Sequence, residues 1–265
     1  MNMDVAAPPS AALEMRHDCL AEQRLALTQQ LDDAELRWWR QAQEQLDQRP
    51  DANTAALLSS QCKRSLKASA LPDSNGWSQV QLARALLLAQ VLEQHPLARQ
   101  LPLLRQLFLW GDDQEKIATL KALDWLDSRG LCVELALQAG RTSNSQVFAA
   151  LALDTLYPSR HYSERAFHQL VLKTLGMGLD VRRLIGLTQR HSVALNQLAL
   201  DLLDEQLAAE RTVSAGLPWV IAFDLLSPAQ RQRLVNLSQQ QRLPPEWHEH
   251  LAGPPLNSRT TAPAP

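Results

Sequence analysis

The fold of this chain is decided between Arg141 and Leu187, where it reads RTSNSQVFAALALDTLYPSRHYSERAFHQLVLKTLGMGLDVRRLIGL. Apolar residues from Val147 to Ala152 recur at helical spacing, which predicts a helix with one buried face. Pro158 is predicted to end this helix, because the residue before a proline disfavours the α conformation. The stretch therefore predicts a helix, a corner at Tyr157 to His161 and a second helix.

The second helix is predicted to begin after Ser163, a residue type that caps helix N-termini. Tyr162 and Phe167 have the spacing of a hydrophobic staple, which fixes the angle at which the chain enters the helix. Gly176 and Gly178 are predicted to end it, since glycine adopts the left-handed conformation at little cost. These signals predict a helix hairpin with a polar corner.

The composition of the whole chain predicts an all-α protein. Its 265 residues are 45% hydrophobic and only 5% aromatic, and glycine is scarce at 9 residues. Leu, Ala, Gln, Arg and Glu are abundant, and all five are strong helix formers. From Trp77 onward, short helical segments alternate with brief breaks. This spacing predicts a HEAT-like helical repeat array, with a globular helical bundle as the alternative.

Segments rich in proline, glycine and small polar residues predict the domain organisation of the chain. Residues 1–10 and the proline-rich tail 252–265 are expected to be disordered, because they contain too little to bury. Residues 11–70 are predicted to form an N-terminal helical unit. The loop LPDSNG at 71–76 separates it from a helical-repeat body over residues 77–250.

The charge balance argues against nucleic-acid binding. The formal net charge is −2 and the pI is about 6.4, whereas nucleic-acid surfaces usually need a basic excess. The most apolar window, Leu82 to Trp110, is interrupted by Arg84, Glu93 and other charged residues, and a membrane span needs about 20 mostly apolar residues. No cationic segment followed by an apolar core opens the sequence. We therefore predict a cytoplasmic protein with no membrane span and no nucleic-acid partner.

Signals for metals and cofactors are weak. The sequence lacks nucleotide-binding glycine motifs, H-E-x-x-H and G-x-S-x-G, and its three cysteines lie far apart. Asp112 to Glu115 resembles the aspartate-rich magnesium motifs of all-α terpene synthases, but helix capping explains these acids better. His248 and His250 would face different sides of a helix, which favours an incidental surface pair. We predict no metal site and no cofactor.

The stretch from Arg141 to Leu187, the organising stretch, also resembles a known family. The segments RTSN, VFAALALD, YPSRH, FHQLVLKTL with the following MG, and RLIGL occur in an order and spacing similar to the EboA family of bacterial proteins. The resemblance covers about Asp112 to Arg211. The chain departs from the family pattern at Asp154–Leu156 and at His168. The resemblance implies an accessory part in a secondary-metabolite pathway, including export of a precursor.

The polar residues around the corner form the candidate ligand-binding site. Gln169 and Lys173 are four residues apart and therefore share one helix face. Together with arginine, they suit an anionic or carbonyl-rich ligand. The structural alternative is that these residues cap helices and lock the hairpin. The candidate residues are Arg141, Asn144, Tyr157, Arg160, His161, His168, Gln169 and Lys173.

Two functions follow from these observations. The first is a non-catalytic helical-repeat adaptor or accessory protein, whose partners are other proteins of a metabolite pathway or a small-molecule precursor. The second is a small-molecule-binding protein or enzyme that uses the corner. The corner lacks an obvious nucleophile with its base, so binding or group transfer fits it better than hydrolysis.

Overall fold

The computed structural model describes residues 12–71 and 76–251, which are helical with no named β-strand. The prediction of an all-α protein is confirmed. None of the helices in these ranges combines the length and the apolar character that a bilayer span requires. The two ends expected to be disordered, and residues 72–75 of the predicted loop, lie outside the described residues.

Helices α1 to α9 belong to a first structural unit, which holds the described residues up to Leu170 together with 183–186. They are α1 His17–Gln30, α2 Asp33–Gln48, α3 Ala52–Ser65, α4 Gln79–Glu93, α5 Leu97–Trp110, α6 Asp113–Leu126, α7 Val133–Ala139, α8 Ser145–Leu153 and α9 Tyr157–His161.

Helix α10, Glu164–Gly176, begins in the first unit and ends in the second. The second unit holds residues 171–182 and the described residues from Leu187 onward. Its remaining helices are α11 Val193–Ala208, α12 Leu217–Val220, α13 Pro228–Gln239 and α14 Glu246–Leu251.

Helix α4 lies at the centre of the first unit. Twelve of its 15 residues are buried, as expected for a helix that is apolar around its whole circumference. It packs against α1, α2, α3, α5 and α6, and α6 packs in turn against α8. Helices α4, α6 and α8 are therefore successive neighbours. Helix α6 contacts α4 and also α8, which precedes the corner.

Several helices begin with capping hydrogen bonds, including the one predicted at Asp112. The Asp112 carboxylate accepts the Glu115 backbone N–H at 2.8 Å, and the Glu115 carboxylate accepts the Asp112 N–H at 2.9 Å. Ser192 accepts the Leu195 N–H at 3.1 Å, and Ser227 caps α13 through a box of the same kind. Reciprocal bonds satisfy two N–H groups that would otherwise have no partner in the helix. Capping thus explains the aspartate-rich segment.

The prediction for Pro158 needs correction. The first helix of the organising stretch ends at Leu153, not at Pro158. Pro158 instead stands in the first turn of α9, where its missing N–H costs nothing because that group has no partner within the helix. A second proline, Pro102, lies inside α5, and the helix continues through it. Burial of Leu104 and Phe108 further along α5 holds the helix in place despite the proline.

We expect Asp112→Ala to lower the free energy of unfolding by about 0.5–2 kcal/mol, the usual cost of losing an N-cap side chain. Urea denaturation followed by circular dichroism measures this change. Asp113→Ala is the matched control, because it removes a neighbouring acid that accepts only an exposed bond from Asn144. Equal losses for the two variants would contradict the capping assignment.

Candidate functional site

Three charged residues are buried along one side of α6 and its C-cap. Lys121, Asp124 and Asp127 are spaced by three residues, so they lie on neighbouring turns. Their exposed fractions are only 4%, 5% and 0%. A buried charge is costly unless it is paired and hydrogen-bonded. Each of the three must therefore find a partner in the elements that pack against α6.

Asp127 is hydrogen-bonded to Tyr157, the tyrosine of the corner. The Tyr157 hydroxyl donates to the Asp127 carboxylate at 2.5 Å, and the Cys132 backbone N–H donates to the same oxygen at 2.7 Å. Burial raises the pKa of Tyr157 well above its usual value, and the neighbouring carboxylate raises it further. The phenol therefore remains protonated and acts as a buried hydrogen-bond donor.

Asp124 is held between two arginines that are far apart in the sequence. Arg160 donates to one carboxylate oxygen at 2.5 Å, and Arg16 donates to the other at 2.9 Å. The carboxylate is almost fully covered, while both arginine side chains are more than 40% exposed. This arrangement joins the segment before α1, α6 and the corner through one carboxylate.

Lys121 lies under an aromatic pair. Its ammonium donates to the Gly76 carbonyl at 2.8 Å and lies 4.7 Å from the centre of the Trp77 ring. Trp77 in turn stacks on Trp125 with ring centres 4.8 Å apart. A cation over an indole face is attracted by the electron density of the ring. Lys121 is thus enclosed by a carbonyl and an aromatic face.

The acidic neighbour of Lys121 is Asp154, at the end of α8. Its carboxylate is 3.9 Å from the Lys121 ammonium and accepts a bond from Arg183 at 3.0 Å. Burial lowers the pKa of Lys121, and Asp154 partly opposes this shift. Burial also raises the pKa of Asp154, opposed by Lys121 and Arg183. The Asp154 carboxylate therefore interacts with two cations, the buried Lys121 and the exposed Arg183.

Of the predicted site residues, Tyr157, Arg160 and His161 lie together on α9. The His161 ring packs against the Tyr157 ring with centres 4.6 Å apart. Gly130 comes close to His161, since an added Cβ would lie 2.8 Å from the imidazole Nδ1. The positive φ of +83° at Gly130 also favours glycine there. The corner is therefore fitted against the turn that follows α6.

The other predicted site residues are placed elsewhere. Asn144 caps α8 and donates to Asp113 at 2.7 Å, and Arg141 is exposed just before it. His168 is buried and lies 3.7 Å from the Glu164 carboxylate, whereas Gln169 is exposed. Lys173 belongs to the second unit. Ligand binding by this set stays a prediction.

Sequence reasoning missed Lys121, Asp124 and Asp127. A signal was available, because the run KIATLKALDWLD places charges three residues apart within an otherwise apolar helix. Lysine and aspartate are almost never buried unless they are paired. What the sequence could not supply was the partners, since the bond between Arg16 and Asp124 spans 108 residues.

The histidine pair near the C-terminus also differs from expectation. His248 is exposed, but His250 is half-buried rather than a surface residue. Its ring meets the edge of Trp219 at 4.6 Å and stacks near Phe223 at 5.4 Å between ring centres. In the described part of the chain, no three histidine, cysteine or acidic residues come together as metal ligands.

Comparison with known families gives one match. Residues 59–222, more than half of the chain, match the family model described as metabolite traffic protein EboA. The chain belongs to the EboA family. The EboA match starts earlier than the resemblance at Asp112 and ends later than Arg211, so it takes in α4, α5 and α6 as well as the corner. No curated protein and no solved structure matches the chain.

We expect Tyr157→Phe to destabilise the protein by about 1–3 kcal/mol, because it removes a donor from a buried carboxylate. A double-mutant cycle with Asp127→Asn, measured by chemical denaturation, should give a coupling energy of about 0.5–3 kcal/mol. Additive losses would mean that the hydroxyl and the carboxylate contribute independently, which contradicts the geometry.

Proposed function

We propose that this chain is a non-catalytic accessory protein that holds other proteins of a metabolite pathway. Membership of the EboA family suggests a role in metabolite handling. The observation that carries the adaptor proposal is the pairing at the corner. Tyr157, Arg160 and Asp154 bond to buried residues of α6 or its C-cap. These groups stabilise the fold, which favours a structural role for the corner over chemistry.

The adaptor proposal includes a HEAT-like arrangement of the first unit. Helices α4, α6 and α8 are successive neighbours, and α3 also packs against α5. Contacts between successive helices of this kind are expected in helical repeat proteins, which bind partners along extended surfaces. The same proposal includes a division into an N-terminal unit over residues 11–70 and a body over residues 77–250. It also includes a cytoplasmic location.

Helix α5 supplies the proposed partner surface. Leu109 and Trp110 are large apolar side chains at its C-terminal end, and each is more than half exposed. Exposed apolar patches on soluble proteins often mark interaction sites. We propose that another protein of the metabolite pathway covers this end of α5.

Leu109→Glu should abolish partner capture without unfolding the protein, because Leu109 is 62% exposed. Tagged protein would be purified from its native cells and its partners identified by mass spectrometry. Leu25→Glu is the matched control, since Leu25 on α1 is 60% exposed. Loss of the same proteins from both variants, or from neither, would remove the support for an α5 interface.

The alternative is a small-molecule-binding protein or enzyme that uses the predicted corner residues. Lys173 tests it, because lysine and alanine are both good helix formers and the substitution should change stability little. If the alternative holds, Lys173→Ala lowers metabolite output in a cell-based assay while the melting temperature is kept. Unchanged output would reject Lys173 as a ligand-binding residue and favour the adaptor.

A further inference from the structure

A small pocket lies where α3, α4, α5 and α6 meet in the first unit. Its volume is about 60 Å³. Trp110, which is 55% exposed, lies where the pocket meets solvent. Most of the lining is apolar. The apolar wall consists of Ala55, Ala56, Leu87, Leu88, Leu107 and Trp110.

The pocket also contains a buried arginine. Arg84 is 6% exposed, and its Nε donates to the Ser59 backbone carbonyl at 3.1 Å. Within the described residues, no carboxylate lies within 4.0 Å of its guanidinium, and neither terminal nitrogen has a hydrogen-bond acceptor. A guanidinium carries five N–H donors and is charged at every physiological pH. Arg84 therefore brings a positive charge without a direct ion-pair partner, and N–H donors, to a mostly apolar pocket.

The one acidic residue that lines this pocket in the described structure is bonded elsewhere. Glu115 accepts the Ser59 hydroxyl at 2.6 Å with one carboxylate oxygen. Its other oxygen accepts the Asp112 backbone N–H at 2.9 Å as part of the capping box. Because both oxygens are occupied at the start of α6, Glu115 is fixed by its capping role and not by Arg84.

We infer that this pocket binds a small organic carboxylate that carries a short apolar chain. The planar guanidinium fork matches a carboxylate in a bidentate geometry. The leucines, alanines and Trp110 then cover the chain, in the manner of ligand sites with apolar walls and few polar groups. A monoanion fits better than a phosphate, because Arg84 supplies only one positive charge and the repulsion from Glu115 grows with the charge of the ligand.

This site goes beyond the accessory role and does not depend on it. Its residues from Ser59 to Thr119 fall within the EboA match. Leu109, the residue that tests the partner surface, does not line the pocket. A failure of partner capture therefore does not contradict the ligand site. A failure of ligand binding likewise does not contradict the adaptor proposal.

Calorimetric titration of the full chain tests the inference with acetate, propionate and butyrate as probes, because a pocket of about 60 Å³ can cover only a very short chain. Propanol and propylamine are controls of similar length without a negative charge. At least one carboxylate should bind with one-to-one stoichiometry, about tenfold or more tighter than propanol. Absence of carboxylate binding, or equal binding of propanol, overturns the proposal.

Two variants assign the binding to this pocket. Arg84→Met should weaken carboxylate binding about tenfold or more, because it removes the charged donor and keeps an apolar chain of similar length. Its melting temperature should equal or exceed that of the wild type, since an unpaired buried charge opposes folding. Arg40→Met on the exposed side of α2 is the control.

Ala56→Phe fills the pocket and leaves Arg84 in place, so it should abolish binding while the fold is kept. It decides the question even if Arg84→Met fails to fold. Carboxylate binding that survives in Ala56→Phe overturns the proposal.

Discussion

The first unit depends on the rule that charges buried in a protein interior must be paired. Helix α6 carries Lys121 and Asp124 into the interior, and Asp127 follows at its C-cap. Leaving a buried polar group without its hydrogen-bond partner costs about 1–3 kcal/mol, and more when the group is charged. The corner can therefore lie in few places other than against α6. Apolar packing supplies the driving force, and these charges select one arrangement among the many that apolar packing permits.

The same rule separates structural charges from a charge that awaits a ligand. Asp124 has two arginine partners, and Asp127 has a phenol and backbone N–H groups. Arg84 is buried to a similar degree on α4, but it has only a backbone carbonyl within the described residues. Proteins keep such unfavourable groups mainly where function requires them, since most other positions can be repacked at lower cost.

Local signals predicted the helices well, because caps and apolar spacing act within a few residues. Helices α6 and α10 begin directly after Asp112 and Ser163, as the sequence indicated. Pro158 was misjudged because proline ends one helix as readily as it begins the next. Arg84 appeared in the sequence only as an interruption of an apolar window. Its pocket depends on α3 and α5, which meet it through tertiary packing that no local pattern encodes.

Trp110 connects the two surfaces of the first unit, because it lines the Arg84 pocket and is exposed on α5. A carboxylate in the pocket and a protein on α5 would contact the same indole. Any effect of one ligand on the affinity of the other is equal in both directions. If contact with Trp110 couples the two sites, carboxylate binding therefore changes the affinity for the partner by the same factor as the partner changes the affinity for the carboxylate. Such coupling needs no catalytic group.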